Sequence, residues 1–325
     1  MPSGILVFGE ATDEGALNPV TAELIAVGTQ LGGPVTCVLP GSGVEDLAQQ
    51  CVAAGAGKVI VVDDALLAPY QGDAYTPMAE RITKEVDPSV VIMGQTLMGR
   101  DLAPRLAQRL GTAVAMDCVA LSMDGDKLVA ERPCYGGAAR AKYKINGAVQ
   151  IATLRAKAAE PLAPDASRSG EIVKQEAGVT ADQIRTKITE RRKEKAEGVR
   201  LEDAKVVVSG GRGLGGPEAF TQLEELAEIL DGAVGASRAV CDLGWYPVPT
   251  QVGLTGKVVT PDLYIAVAIS GASQHMAGIS SVKNIVAINK DEDANIFKSS
   301  RFGVVGDWKE VFPAFKEKVR ELRSA

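Results

Sequence analysis

Residues 206–216 read VVVSGGRGLGG, a short apolar run that passes directly into a glycine-rich turn. Similar turns follow downstream in AVGASRA (233–239), QVGLTGK (251–257), YIAVAISGASQH (264–275), IVAINKD (285–291) and VVGD (304–307). In an open parallel sheet, ligands bind in the crevice outside the carboxyl ends of the strands. The repeated pattern therefore predicts one extended site with many exposed backbone N–H groups, and a dinucleotide fits such a site.

The first of these turns carries a G-x-G-x-x-G pattern in Gly211, Gly213 and Gly216. It follows a strand predicted at 205–209 and precedes a helix predicted at 217–230. Glycines let the backbone approach a pyrophosphate, and a helix N-terminus favours its negative charge. On its own this pattern is a weak signal, because glycine-rich turns are also ordinary loops.

The end of the second strand argues against an ordinary NAD dehydrogenase. NAD-binding folds place an acidic residue there to hold the ribose hydroxyls. Here the strand predicted at 233–236 is followed by Ser237 and Arg238. An arginine at this point suits the 2′-phosphate of NADP, or it faces a different ligand, and the residues alone leave both open.

Composition excludes several classes of protein. The chain has 325 residues and a formal net charge of −6, so there is no electrostatic case for nucleic acid. No apolar run reaches the roughly 18–20 residues of a membrane helix. The start of the sequence lacks the pattern of a secretory signal, so we expect a cytoplasmic protein.

The five cysteines are scattered and there is a single histidine, which disfavours disulfides, a metal site or a Ser-His-Asp triad.

The pattern of apolar runs predicts two α/β domains. Strands are predicted at 5–9, 35–39, 59–62 and 90–93, and helices at 20–31, 44–54, 77–85 and 101–110. Runs at 113–121, 127–131, 139–144 and 149–154, with turns at Asp124-Gly125 and Asn146-Gly147, predict an antiparallel β extension of this doubly wound first domain. Residues 160–176 are predicted to be a surface loop.

A dense charge run at 185–205 marks the boundary between the domains. We predict a first domain over 1–190, a linker over 191–204 and a second, Rossmann-like parallel-sheet domain over 205–325. The second domain has strands predicted at 205–209, 233–236, 263–269, 284–289 and 302–306, and a charged helix at 309–323. Interspersed acids favour a solvated linker over a site for an acidic partner.

Several long strings, in order, resemble the alpha subunit of electron transfer flavoproteins. They are SGGRGLGG (209–216), GASRA (235–239), QVGLTGKVVTPDLYIAVAISGASQH (251–275), VAINKDEDANIF (286–297) and VVGD (304–307), with GRDLAPRLAQRLG (99–111) and ERPCYGG (131–137) in the first domain. The resemblance covers nearly the whole chain. It implies one FAD in the second domain and a heterodimer with a smaller beta subunit docked on the first domain.

The resemblance also implies electron transport rather than conversion of a substrate. In fatty acid β-oxidation and related pathways, such proteins accept electrons from acyl-CoA and similar dehydrogenases. They pass them to a downstream acceptor such as a membrane quinone oxidoreductase. The chain itself is expected to have no transmembrane segment and no nucleic-acid partner.

Seventeen positions match FAD-contacting positions of the family. They are Arg212, Ser237, Arg238, Gln251, Val252, Gly253, Leu254, Thr255, Ser270, Gly271, Ala272, Ser273, Gln274, His275, Asn289, Asp307 and Trp308. By resemblance, Arg238 lies against the flavin ring, Thr255 bonds its N5 atom and His275 lies near its C2 carbonyl. Asp307 is suited to accept a hydrogen bond from a ribose hydroxyl.

Three alternatives remain open. Some family members bifurcate electrons from NADH with a second FAD held mainly by the beta subunit, and the residues that discriminate lie mostly on that subunit. A stand-alone nicotinamide-dependent dehydrogenase would need an acid/base residue that no recognisable motif supplies. A nucleotide-sensing module would bind in the first domain, where Gly9-Glu10-Ala11 and Gly94-Gln95-Thr96 are only ordinary strand-end turns.

Overall fold

The computed structural model describes residues 4–137, 139–190 and 199–324. The chain divides into two compact units. The first runs to Pro133 and resumes at Arg140 up to the gap at 191–198, and the second contains Cys134–Ala139 and the described residues from 199 onward. Residues 191–198 of the predicted linker lie outside the described residues.

The first unit is built on a seven-stranded parallel sheet. Its elements in chain order are β1 (Ile5–Phe8), α1 (Pro19–Gln30), β2 (Val35–Gly41), α2 (Ala48–Ala53), β3 (Lys58–Asp63), α3 (Gly72–Val86), β4 (Val90–Gly94), α4 (Leu97–Arg109), β5 (Val114–Cys118), β6 (Ala120–Asp124), β7 (Lys127–Cys134), β8 (Ala139–Lys144), β9 (Gln150–Leu154) and β10 (Glu171–Lys174). The strand order is β10-β3-β2-β1-β4-β9-β5, and β6-β7-β8 form a separate sheet.

The predicted antiparallel extension is confirmed in part. β6 and β7 pair antiparallel around the Asp124-Gly125 turn, where Gly125 has a φ of +64°. The hairpin predicted at Asn146-Gly147 is wrong, because β9 pairs parallel with β4 and β5 inside the main sheet. All five residues of β9 are buried, which is typical of a strand covered on both faces.

Other boundaries also differ from the sequence-based prediction. The run predicted at 113–121 divides into β5, which pairs parallel with β9 in the main sheet, and β6. The loop predicted at 160–176 contains β10, which pairs parallel with β3 at the edge of the sheet. Helix α3 begins five residues before Pro77, and Pro77 lies inside it. Helix α4 begins at Leu97 because Thr96 caps it, accepting a hydrogen bond from the Gly99 amide at 3.1 Å.

The second unit has a five-stranded parallel sheet with helices on both faces. Its elements are β11 (Val206–Gly210), α5 (Phe220–Ile229), β12 (Ala233–Ala236), α6 (Arg238–Asp242), β13 (Leu263–Val267), α7 (Ser273–Gly278), β14 (Ile285–Asn289), β15 (Phe302–Val305) and α8 (Trp308–Ser324). The strand order is β12-β11-β13-β14-β15, and every strand pair is parallel. The predicted α/β fold class is therefore confirmed for both units.

Alternation along β11 divides the core of the second unit into two layers. Val207 packs with Tyr264, Ile279 and Ile285 on one face, whereas Val208 packs with the apolar residues of α5 and α8 on the other. Successive side chains of a strand point to opposite faces, so each face buries its own cluster.

Among the described residues, no helix is long and apolar enough to cross a membrane.

Candidate functional site

The candidate site lies along the carboxyl edge of the second sheet. From β11 the chain crosses to β12 on one side, and β13 then returns to the other side of β11. This reversal makes the space between the ends of β11 and β13 a topological switch point, where open α/β sheets bind ligands. The turns after all five strands lie at this edge, because parallel strands share one direction.

Backbone segments approach closely at the switch point. The amide of Gly211 donates to the Val267 carbonyl at 2.9 Å. A Cβ on Gly211 would lie 2.0 Å from the Ala268 carbonyl oxygen, so only glycine fits there. Ala268 itself has a φ of +55°, a conformation that L-residues seldom adopt and that often marks a functional turn.

The segment 251–257 is fastened beside this crevice by backbone hydrogen bonds. The Val252 amide donates to the Ala236 carbonyl at 2.9 Å, and the Leu254 amide donates to the Gln274 carbonyl at 2.7 Å. Gly253 has a φ of +148°, and the buried Gln251 donates from Nε2 to Thr255 Oγ1 at 3.0 Å. These bonds leave the side chains of Leu254 and Thr255 exposed next to the turn that follows β13.

That turn, Ser270–Ala272, leads into the short helix α7, which begins at Ser273. Gly271 has a φ of +79°, and the Ser270 carbonyl accepts from the Ile296 amide at 3.1 Å. Ser270, Ala272, Ser273 and Gln274 are exposed. The turn and the start of α7 therefore present a row of small and polar groups at the mouth of the crevice.

His275 differs from its neighbours because it is only 7% exposed. Its Nε2 lies 2.9 Å from the hydroxyl of Tyr264, and no acceptor reaches its Nδ1 with hydrogen-bond geometry. Burial lowers the pKa of His275 to about 4, and the nearby Val252 backbone opposes that shift. The ring is therefore neutral at physiological pH, and sequence reasoning did not predict Tyr264 as its partner.

A second group of residues surrounds a cavity of about 160 Å³ near the ends of β14 and β15. Its lining residues are Gly213, Leu214, Gly215, Ala268, Asn289, Lys290, Asp307, Trp308 and Lys309. Asn289 is held by a hydrogen bond from Nδ2 to the Ile269 carbonyl at 2.9 Å. Asp307 accepts from the Lys309 amide at 2.9 Å and so caps α8. Sequence reasoning missed Lys290 and Lys309, although each directly follows a predicted site residue.

Trp308 contributes mainly to the core. It is 9% exposed and packs in the same apolar cluster as Phe312 and Leu223. It nevertheless lines the cavity, so one large side chain joins the core to the site.

The remaining predicted residues, Arg212, Ser237 and Arg238, lie at the ends of β11 and β12. Ser237 is the N-cap residue that precedes α6, and its amide donates to the Gly210 carbonyl at 3.0 Å. The guanidinium of Arg238 lies 3.2 Å from the Asp242 carboxylate, and both side chains are more than half exposed. Arg212 is exposed in the glycine loop. Arg212 and Arg238 therefore place two positive charges on the exposed side of this edge.

The donors at this edge suit a phosphate-bearing dinucleotide. Exposed hydroxyls, four cations and the Asp307 carboxylate are the kinds of group that bind phosphates and ribose hydroxyls. The glycine at 211 lets two turns meet without a side chain between them. Among the described residues, no cluster of His, Cys, Asp or Glu could hold a metal ion.

Family models match both units. An electron transfer flavoprotein domain matches residues 5–180, and an electron transfer flavoprotein FAD-binding domain matches residues 200–280. The chain is 43% identical over 324 residues to electron transfer flavoprotein subunit alpha of Bacillus subtilis, covering 99% of both chains. The proteins of the same name from Thermoanaerobacterium thermosaccharolyticum and Megasphaera elsdenii are 42% and 41% identical, with at least 97% of each chain covered.

The fold and the edge site define a two-unit α/β protein with a crevice suited to a dinucleotide cofactor. The family matches make the assignment particular: the chain belongs to the electron transfer flavoprotein alpha-subunit family. A glycosyltransferase structure aligns over 100% of this chain and 95% of that one, but with a TM-score of 0.29 and 14% identity it carries no argument.

Proposed function

We propose that the second unit binds one FAD and that the chain carries electrons as the alpha subunit of a heterodimer with a beta subunit. Its donors are acyl-CoA-type dehydrogenases, its acceptor is a downstream protein such as a membrane quinone oxidoreductase, and its compartment is the cytoplasm. The observation that carries the proposal is the convergence of the turns after all five strands on one edge. Membership of the family supports the choice of FAD over other dinucleotides.

The residues at the edge divide naturally between the two ends of FAD. Asn289 and Asp307 line the cavity with Lys290 and Lys309, and we assign this group to the adenosine and phosphate end. Arg238, Thr255 and the segment Ser270–His275 lie toward β12 and the switch point, and we assign them to the flavin end. FAD supplies the redox chemistry, because it takes up and releases one or two electrons.

At the flavin end, this chain contributes charge and hydrogen bonds. The Arg238 cation stabilises negative charge that accumulates on a reduced ring. Thr255 Oγ1 accepts from Gln251, which leaves its own proton free to donate to a ligand atom. The neutral His275 ring adds no charge of its own at physiological pH.

The choice of electron donor tests the proposed role. We expect the heterodimer's flavin to be reduced by an acyl-CoA dehydrogenase with its substrate, and NADH alone to leave it oxidised. Bleaching of the flavin absorbance in anaerobic stopped flow measures both reactions. Rapid reduction by NADH, together with two FAD per heterodimer, would instead establish the bifurcating alternative. No reduction by either donor would contradict an electron-carrier role.

A further inference from the structure

Tyr264 and His275 form a buried pair beneath the candidate site. Tyr264 is 0% exposed, and its hydroxyl oxygen lies 2.9 Å from Nε2 of His275. Within the described ranges, Ser209 Oγ and His275 Nδ1 are buried without a hydrogen bond of acceptable geometry. The contact between phenol and imidazole is thus the one well-formed hydrogen bond in this group.

Only one placement of the protons satisfies the phenol. If Nε2 carried a proton and donated it to the phenol oxygen, the phenol's own proton would face only the nearby Ser209 hydroxyl, which makes no hydrogen bond of acceptable geometry. A buried donor without an acceptor is strongly unfavourable. If the phenol donates to Nε2, its proton is satisfied, and the neutral ring carries its proton on Nδ1.

The environment keeps both groups in the required ionisation states. Burial raises the pKa of Tyr264, and the nearby Ser209 hydroxyl opposes that shift only in part. Burial also lowers the pKa of His275 to about 4. At neutral pH the phenol therefore remains a donor, and the imidazole remains an uncharged acceptor at one nitrogen.

We propose that Tyr264 is a positioning residue that holds His275 as the tautomer protonated on Nδ1. The consequence for the ligand rests on the proposed function. In this tautomer the Nδ1–H group is a hydrogen-bond donor beside the Val252–Thr255 loop. Its acceptors there are carbonyl oxygens of the backbone and of a flavin's pyrimidine ring. The opposite tautomer would present a lone pair to those oxygens and repel them. Tyr264 thereby acts on the ligand through His275 without touching it.

The single histidine of the chain makes the tautomer directly measurable. The full chain is labelled with ¹⁵N-histidine and studied by magic-angle-spinning NMR at neutral pH, with FAD content measured by absorbance on the same sample. We expect a protonated Nδ1 and an unprotonated Nε2. A protonated Nε2 in the parent chain would overturn the proposal, even if no variant could be prepared.

Two tyrosine variants separate positioning from general packing. In Tyr264→Phe the donor is lost, so the preference between tautomers should fall by about tenfold, and resonances of the Nε2-protonated form should appear. Tyr246→Phe is the matched control, because that phenol donates to Glu224 elsewhere in the unit. An unchanged spectrum in Tyr264→Phe would refute the role of Tyr264. Absent FAD would count against the proposed function and leave the tautomer test intact.

Discussion

At the scale of single residues, Arg238 is the side chain whose charge bears most on the proposed chemistry. It is the first residue of α6, two positions after the end of β12, and its carboxylate partner Asp242 lies on the same helix at 3.2 Å. An exposed pair of this kind adds little stability. An ion pair on a helix surface can form at many positions along a helix. A cation that stabilises a reduced flavin must instead lie at the strand end where the ring is proposed to bind.

Replacing Arg238 with glutamine should lower the midpoint potential of the bound flavin. A charge at about 4 Å with an effective dielectric near 20 contributes about 4 kcal/mol, which corresponds to an upper limit of roughly 170 mV. Solvent exposure and Asp242 reduce that value. Spectroelectrochemistry of the heterodimer measures the shift, and Arg301→Gln, an arginine at the opposite end of β15, is the control. Equal potentials in the two variants would contradict the assignment.

Glu10 is a buried carboxyl group at the end of β1 in the first unit. Burial raises its pKa to about 7, and the hydrogen bond from Thr96 Oγ1 at 2.7 Å opposes the shift. The folded state therefore binds the proton more tightly than the unfolded state. The resulting stabilisation is complete below the unfolded pKa of 4.5 and is lost as pH rises through about 7.

Glu10→Gln should remove this pH dependence. Between pH 5.5 and 8.5 the parent should lose about 2 kcal/mol of unfolding free energy through Glu10 alone, and the variant should not. Urea unfolding at both pH values, followed on the first unit's transition, measures the difference. Glu45→Gln, at an exposed position of the same unit, should retain the parent's slope. Identical slopes in the parent and Glu10→Gln would show that the carboxyl group is not protonated in the fold.

At the scale of elements, the turn between β13 and α7 is shaped by Gly271. Its φ is +79°, and a Cβ would lie 2.2 Å from the Ile296 amide nitrogen. Gly244 has a similar φ of +67° but open space around its Cβ position. The two glycines therefore separate the cost of backbone conformation from the cost of a steric clash.

Gly271→Ala should destabilise the second unit by about 3 kcal/mol or more, whereas Gly244→Ala should cost only about 1–2 kcal/mol. The extra loss has a steric origin, because the Ile296 backbone must move away. Urea unfolding with far-UV circular dichroism gives both values. Equal losses would mean that the turn relaxes freely and does not depend on this close approach.

Asp307 combines two roles at the start of α8, because it caps the helix and lines the cavity. Serine is as good a cap as aspartate, so Asp307→Ser should change stability by less than about 0.5 kcal/mol. The loss of a charged acceptor should weaken FAD binding by about tenfold to a hundredfold. Fluorescence titration of the flavin-depleted protein measures the affinity. Asp291→Ser is the control, because the Asp291 carboxylate accepts a similar bond from the Asp293 amide outside the cavity. This variant should bind FAD like the parent. Equal FAD affinities in the two variants would refute the assignment.

The elements of the second unit were largely predictable from the sequence. Each of its five strands is a short apolar run ended by glycine or a polar residue, and the observed bounds differ by at most two residues from the predicted ones. In the first unit, Asn146-Gly147 gave a hairpin signal, but burial of β9 on both faces determined its pairing. The pairing of His275 with Tyr264 was not predictable, because it depends on how α7 packs against β13.

At the scale of the whole molecule, the two units use the carboxyl edges of their parallel sheets differently. In the first unit, Glu10 and Thr96 bond to each other at the ends of β1 and β4, so these polar groups satisfy one another. In the second unit, Arg212, Ser270 and Thr255 remain exposed at the edge. The family's electron-carrying role is therefore expected to reside in the second unit.

The flavin content of the chain purified with its beta subunit is the decisive test of the flavin site proposed in the second unit. Absorbance spectra, with the released cofactor identified by chromatography, give the amount and type of flavin per heterodimer. We predict one FAD held by this chain, and Asp307→Ser should reduce the amount retained. A colourless heterodimer that takes up no FAD on titration would contradict the proposal that the strand ends of the second unit form a flavin site.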